Sequence, residues 1–141
     1  MKQVRGTTWQ RLSTAALALP GVEEGTSYST PALHVRKKLL ARLREDGDTV
    51  AVRVELPDRD VLLEADPRAF FVTEHYLAYP FILVRLVDVQ HNVVVELLEQ
   101  AWRRAAPKRA VAEHDAEHGA KAATSPTERA RPGVRRRRTR G

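Results

Sequence analysis

Large apolar side chains stop at one point of the chain, and this limits where a hydrophobic core can form. The sequence has 141 residues, and from Pro107 onward it contains no Leu, Ile, Phe, Tyr or Trp. A segment of that composition buries too little apolar surface to offset the entropy lost on ordering it. We therefore predict one folded domain over residues 1–106 and a disordered tail over residues 107–141, with at most a frayed helix across KRAVAEHDAEH.

The charge of the chain divides at the same point. Residues 1–105 contain 14 basic and 14 acidic side chains, whereas residues 106–141 contain 10 basic and 4 acidic ones, so the tail carries the whole net charge of +6. A run of arginines binds phosphate without reading base sequence. We expect the tail to supply most of any affinity for nucleic acid, chiefly through Arg135, Arg136, Arg137 and Arg138.

Several classes of protein are excluded or disfavoured by composition. The chain contains no cysteine, which excludes disulfides, a thiolate nucleophile and a cysteine-ligated zinc site. No apolar run approaches the roughly 18–20 residues of a membrane span. The start, MKQVRGTTWQRL, lacks the apolar segment of a signal peptide. We expect a cytoplasmic protein.

Residues with catalytic or metal-binding chemistry form no recognisable motif. The sequence lacks a phosphate-cradling glycine loop, a nucleophile elbow and a metal motif. His114 and His118 have the i, i+4 spacing of two zinc ligands, but no third ligand lies near them in a structured segment. We predict no enzyme, no catalytic residue, no cofactor and no metal. His75, Tyr76 and Tyr79 could line a ligand pocket or could cover the edge of the core.

The periodicity of residues 1–106 predicts an α+β domain with an antiparallel sheet, in the order α-β-β-β-α-β-β-α. Thr7 and Gln10 have the spacing of a capping box at the start of the first helix, and Pro20-Gly21 ends it. The strand FILVRLV is apolar enough to be buried on both faces. The closing helix, HNVVVELLEQAWRRAA, has an inner stripe of Val94, Leu97, Leu98, Ala101 and Trp102.

The central hairpin has a register that its own apolar residues support. Asp46-Gly47 is a favoured pair for a two-residue type I′ turn. With that turn, Leu43 pairs with Val50, Ala41 with Val52 and Leu39 with Val54, so one face is apolar throughout. The opposite face then carries Leu40, Arg42, Arg44 and Arg53.

The turn before this hairpin carries three adjacent cations. If Leu33 and Val35 share the apolar face, Val35 must pair with Leu39, and the connection is the three residues Arg36, Lys37 and Lys38. This tip and the arginine face could contact phosphate oxygens. Alternatively they form an ordinary solvated surface, which the nearby acids Glu45, Asp48 and Glu55 would neutralise.

Three stretches together resemble the MmcQ/YjbR family of small bacterial proteins: LALPGVEEGTSYSTPALHVRKKLLARLREDGDTVAVRV, FFVTEHYLAYPFILVRL and LLEQAWRRAAPKR. The resemblance covers roughly residues 9–109. Its elements are Pro20-Gly21 with Glu24, Thr30-Pro31 before a hairpin, the loop from His75 to Pro80, and the closing aromatic helix. The chain departs from the family pattern at Lys37, where Gly is typical, and at Phe81, where Trp is typical.

The resemblance implies an antiparallel sheet with flanking helices, similar to the double wing domain of a phage transcription activator, whose concave sheet faces DNA. It therefore favours a non-enzymatic, DNA-binding protein that uses the basic hairpin tip, the arginine face and the tail. The alternative is a protein- or small-ligand-binding module that uses its sheet face or the His75–Tyr79 loop. In that case the tail is an incidental basic extension.

Overall fold

The computed structural model describes residues 5–117, of which residues 5–106 form one compact unit and residues 107–117 belong to a second. The first unit is an α+β domain, as predicted. Its elements, in chain order, are α1 (Trp9–Leu17), β1 (Val22–Ser27), β2 (Thr30–Val35), β3 (Lys38–Leu43), β4 (Thr49–Arg53), α2 (Leu56–Ala65), β5 (Phe70–Phe71), a 3-10 turn (Glu74–Tyr76), β6 (Phe81–Arg85) and α3 (His91–Ala105).

Six strands form one antiparallel sheet in the order β1-β2-β3-β4-β6-β5. The predicted order lacked β1. Among the described strands it pairs only with β2, at the edge of the sheet, and Val22 is the one buried residue of its sequence VEEGTS. It therefore shows no alternation of apolar and polar residues from which a strand could be predicted.

The second unit was predicted to be disordered with at most a frayed helix across KRAVAEHDAEH, and its described part contains a helix there. Residues Lys108–Glu117 form α4, which has no buried residue. This helix lies within KRAVAEHDAEH, the stretch for which a frayed helix was allowed, where alanines and charged residues of good helix propensity stand in succession. The rest of the predicted tail, including Arg135 to Arg138, lies outside the described residues.

The first helix begins one residue later than its predicted capping box. Thr8 is the N-cap, and its hydroxyl accepts a hydrogen bond from the Arg11 amide at 3.1 Å. The hydroxyl of Thr7 lies instead 2.7 Å from Nδ1 of His91, at the start of α3. Thr7 thus ties the two helix starts together, and the adjacent Thr8 takes over the cap.

The β3–β4 hairpin has two of its three predicted pairs, without that of Leu39 with Val54, and its turn is different. Ala41 pairs with Val52 and Leu43 with Val50. The Gly47 amide donates to the Arg44 carbonyl at 2.9 Å, so the chain reverses across Glu45-Asp46 and not across Asp46-Gly47. Within this turn only Gly47 has a left-handed φ, of 76°. The Asp46 carboxylate holds the turn by accepting hydrogen bonds from the amides of Asp48 and Thr49, a role typical of Asp.

The β2–β3 connection has two residues, not the predicted three. Val35 pairs with Lys38, and the turn is Arg36-Lys37. Leu33 nevertheless pairs with Ala41, because a β-bulge absorbs the extra residue, Leu40. The two-residue turn is favoured since its twist matches that of the strands. As a result Leu40 is completely buried, and Leu39 takes the face predicted for Leu40.

The main core lies between the sheet and two helices. Helix α3 packs on β3 and β4, and α1 packs on α3 and β1. The predicted inner stripe of α3 is buried throughout, and so are residues 81–84 of β6. The indole of Trp102 donates to the Pro20 carbonyl at 2.8 Å, which fixes the end of α1 to the closing helix. Every helix among residues 5–117 falls short of the length and apolar character that crossing a bilayer requires.

Candidate functional site

The β2–β3 turn presents three cations, Arg36, Lys37 and Lys38, which we call the wing tip. All three are exposed, and none forms an ion pair with another residue of the described part of the chain. Arg36 and Lys37 have φ values of 52° and 68°, as a type I′ turn requires. A side chain in this left-handed region costs roughly 1–2 kcal/mol per residue relative to Gly. The turn therefore carries two long basic side chains where Asn-Gly would fold more easily.

The surroundings of the wing tip carry both signs of charge. Lys37 lines a shallow depression with Glu23 and Glu24 of β1. Lys38 lines a different cavity, of about 210 Å³, with Arg53 and Arg104. Arg104 is itself paired with acids, at 3.1 Å from Glu55 and 3.3 Å from Asp58. The cationic side of the tip is thus the side of Lys38 and Arg53.

The structure brings the three arginines of the predicted face together, each over an aromatic ring. The guanidinium of Arg42 lies 5.0 Å from the ring centre of Tyr28, that of Arg44 5.8 Å from Tyr76, and that of Arg53 4.8 Å from Phe81. We call this surface the arginine–aromatic face. Stacked arginines of this kind are held by cation–π attraction.

Arg42 is a buried member of this face, only 4% exposed. Its guanidinium donates to the Ser27 carbonyl at 3.3 Å, to the Tyr76 hydroxyl at 3.0 Å and to the Glu45 carboxylate at 2.8 Å. Burial alone would lower the pKa of Arg42, but the hydrogen bonds to Tyr76 and Glu45 outweigh it and raise the pKa. Arg42 therefore organises the face rather than offering a free charge to phosphate.

Arg53 and Arg44 are only partly exposed, but neither is neutralised by a carboxylate at ion-pair distance in residues 5–117. Arg53 Nε donates to the Leu39 carbonyl at 2.7 Å, and burial lowers its pKa. Nε of Arg44 is buried and has no hydrogen-bond partner within the described part of the chain. The charges of these two arginines, unlike that of Arg42, are therefore not met by a carboxylate of the described residues.

An aromatic cavity of about 180 Å³ opens on this face. The segment after β5 supplies three of its walls, His75, Tyr76 and Tyr79, for which the sequence left open a ligand pocket or the edge of the core. Tyr28 closes the opposite side from the β1–β2 turn. It is 78% exposed and has a left-handed φ of 52°.

The loop that carries these rings is held by a residue that the sequence did not indicate, Arg59 of α2. Its guanidinium is buried, and its hydrogen-bond acceptors within residues 5–117 are four backbone carbonyls: Tyr76 at 3.2 Å, Leu77 at 3.0 Å, Tyr79 at 2.9 Å and Phe81 at 3.2 Å. An arginine in the first turns of a helix normally indicates a solvated position, and carbonyl partners leave no mark in a sequence. No sequence signal could have found it.

Comparison with known proteins assigns the chain to a family. A family model described as YjbR matches residues 17–104, more than half of the chain. The chain belongs to the YjbR family. This confirms the resemblance noted in the sequence, and the matched range contains the wing tip, the arginine–aromatic face and the cavity. The match ends before α4.

Relatives of this YjbR protein include uncharacterised mycobacterial proteins and one protein of solved structure. Uncharacterised proteins of Mycobacterium tuberculosis and Mycobacterium bovis are 41% identical to it over 66 residues, which is 46% of this chain and 51% of theirs. The chain thus spans about half the length of these curated relatives. The crystal structure of Deinococcus radiodurans protein DR2400, with the domain named DUF419, matches with a TM-score of 0.62 at 19% identity, covering 76% of this chain and 84% of that one. This similarity concerns the fold alone.

Proposed function

We propose that this YjbR protein is a cytoplasmic, non-enzymatic nucleic-acid-binding protein that contacts phosphate through the wing tip and the Arg-rich run Arg135–Arg138. The observation that carries the proposal is the exposed cationic turn Arg36-Lys37, built on a backbone that long side chains adopt only at a cost in stability. Local strain of this kind concentrates at functional sites. Lys38 and Arg53 extend the cationic surface toward the arginine–aromatic face.

The two basic elements have different roles in this proposal. The domain is neutral over residues 1–105, so its long-range attraction for a polyanion is weak. The arginine run supplies this attraction, and it does so without preference for sequence. The wing tip and the face supply shape, which limits how the duplex or strand can dock.

The proposal is tested by binding of fluorescently labelled duplex DNA to the full-length protein at low salt. We expect Lys37→Gln/Lys38→Gln to weaken binding several-fold. The matched control, Arg11→Gln/Arg68→Gln, removes the same charge from exposed positions outside the wing tip and should weaken binding much less. An equal loss of DNA affinity in both double variants would show that only the net charge matters, and it would overturn a role for the wing tip. Replacing Arg135–Arg138 by serine should cause the largest loss.

A second candidate function is favoured by the aromatic cavity. A concave site with several aromatic walls and a few polar groups is typical of small-molecule sites. In this case the domain is a ligand-binding module, and the basic tail is incidental. Ligand binding would then persist in the Lys37→Gln/Lys38→Gln variant, whereas DNA binding by the wing tip would not.

A further inference from the structure

The aromatic cavity offers flat surfaces to a ligand. Three of its ring-bearing walls, Tyr28, His75 and Tyr79, are exposed, and Tyr76 and Phe81 are buried beneath them. The rings of Tyr76 and Phe81 are tilted at 58° to each other, with centres 6.2 Å apart. Walls of this kind attract planar, unsaturated groups, because every aromatic ring can stack on another.

The requirements of the fold do not explain why residue 28 is a tyrosine. It occupies the first central position of a type I′ turn, where Asn or Gly is preferred, and most of its surface is exposed. Its ring contacts the guanidinium of Arg42 and contributes little to the core. The fold thus holds a large exposed aromatic ring at a strained position beside the cavity, which a stacking role explains.

Polar groups at the cavity match the edge of a heteroaromatic ring. A guanidinium has five N–H donors, and three of those of Arg42 are used by Ser27, Tyr76 and Glu45. The remaining two stay available to acceptors of a ligand, since Arg42 lines the cavity. The imidazole of His75 adds a nitrogen that can donate or accept.

Cations lie just beyond one wall of this cavity. Leu39 and Phe81 line the aromatic cavity. Arg53 donates a hydrogen bond to the Leu39 carbonyl, and its guanidinium stacks over the Phe81 ring. Arg53 and Lys38 in turn line the neighbouring cavity of about 210 Å³. A ring in the aromatic cavity with an attached phosphate would therefore find two cations beside it.

We propose that the aromatic cavity binds an unpaired nucleobase, stacked on Tyr28, with its phosphate toward Lys38 and Arg53. The base comes either from a single-stranded nucleic acid or from a free mononucleotide. The first source rests on the nucleic-acid-binding function proposed above. Bases in a duplex are stacked in the helix and do not enter the cavity unless they are extruded.

The test uses the full-length protein and a thymidine oligonucleotide with a single 2-aminopurine, whose fluorescence falls when the base stacks. We expect wild-type protein to quench the fluorescence of the single strand and not that of the matching duplex. Tyr28→Ala should weaken single-strand binding at least about five-fold, the loss of one stacked base. Tyr28→Phe keeps the ring and Ser29→Gly relaxes the same turn, so both should bind as wild type does.

Competition by adenosine monophosphate distinguishes the two sources. Displacement of the strand by the free nucleotide, with the same loss in Tyr28→Ala, assigns the cavity to mononucleotides. Failure of the nucleotide to compete assigns it to strands. The proposal is overturned if Tyr28→Ala binds both probes as wild type does. If Lys37→Gln/Lys38→Gln still weakens duplex binding in that case, the proposed function stands without the base site.

Discussion

Nη1 of Arg42 donates a hydrogen bond of 3.0 Å to the hydroxyl of Tyr76, a residue 34 positions further along the chain. The bond joins the central strand β3 to the loop that covers the second face of the sheet. It also explains why an arginine can be buried there, because the charge is met by this hydroxyl, by Glu45 and by the Ser27 carbonyl. The geometry of the arginine–aromatic face depends on this contact.

Removing the Tyr76 hydroxyl tests that dependence. Tyr76→Phe keeps the ring but leaves a buried N–H of Arg42 without its acceptor, so we expect the free energy of unfolding to fall by about 1–2 kcal/mol. Urea denaturation measures the change. Tyr79→Phe is the matched control, since the Tyr79 ring is largely exposed, and it should change stability by less than about 0.5 kcal/mol. Equal effects in the two variants would contradict the role given to the bond.

Arg59 should be one of the most sensitive positions of the domain. Arg59→Met fills similar space but leaves the carbonyls of Tyr76, Leu77, Tyr79 and Phe81 without their donor. We expect a loss of roughly 2–4 kcal/mol, by analogy with breaking a buried charged network. In this variant the hydrogen exchange of backbone amides should accelerate most, relative to wild type, in residues 74–80. Asp60→Asn, an exposed change on the same helix, should leave exchange there unaltered.

The wing tip should trade stability for binding. Arg36→Asn/Lys37→Gly places the preferred residues in the type I′ turn, so we expect the domain to become about 1–2 kcal/mol more stable. The same variant should bind DNA more weakly, because it loses two phosphate contacts. Urea denaturation and DNA titration of one preparation measure both effects. A variant that is more stable and binds as tightly as wild type would show that the cations of the turn have no part in binding.

Asp46 makes stability depend on pH at the acidic end. Burial would raise its pKa, but hydrogen bonds from the Asp48 and Thr49 amides and the Thr49 hydroxyl outweigh it and lower the pKa below its ordinary 3.8. The carboxylate therefore stabilises the fold above about pH 4, and this contribution is lost as pH falls through the folded-state pKa.

Asp46→Asn removes the charge and keeps an acceptor oxygen. We expect wild type to exceed the variant by about 0.5–1 kcal/mol at neutral pH, after allowing for solvent screening at this exposed turn. The gap should close as pH falls from 4 to 2, as measured by urea denaturation at each pH. Asp48→Asn, whose side chain makes no hydrogen bond within residues 5–117, should show no such gap. A gap that does not depend on pH would exclude the carboxylate as its source.

Local patterns predicted those parts of the fold that depend on neighbouring residues. The register of Ala41 with Val52 followed from alternation, and the shared face of Arg42, Arg44 and Arg53 followed from that register. The length of the Arg36-Lys37 turn did not follow from alternation. A bulge at Leu40 aligns the apolar residues of β2 and β3 as a longer turn would. The position of a bulge depends on packing against both faces of the strand, and the sequence of one strand holds no information about that packing.

Whether each arginine is buried or accessible depends on partners distant in the sequence, and this could not be predicted. Arg42 was expected to be accessible, but its burial follows from Tyr76 and Tyr28, which the sequence places 34 and 14 residues away. The ring walls of the cavity were noted as a cluster, His75, Tyr76 and Tyr79, since they adjoin in the chain. That they meet Tyr28 across the sheet required the tertiary structure.

The most direct test of the central claim, that the wing tip contacts phosphate, is the salt dependence of duplex DNA binding. Each phosphate contact contributes about 0.9 to the slope of the logarithm of the binding constant against the logarithm of salt concentration. We expect the slope of Lys37→Gln/Lys38→Gln to be smaller than that of wild type by about 2, and the slope of Arg11→Gln/Arg68→Gln to be unchanged. An unchanged slope in the wing-tip variant would contradict the claim, because the two lysines would then release no counterions on binding.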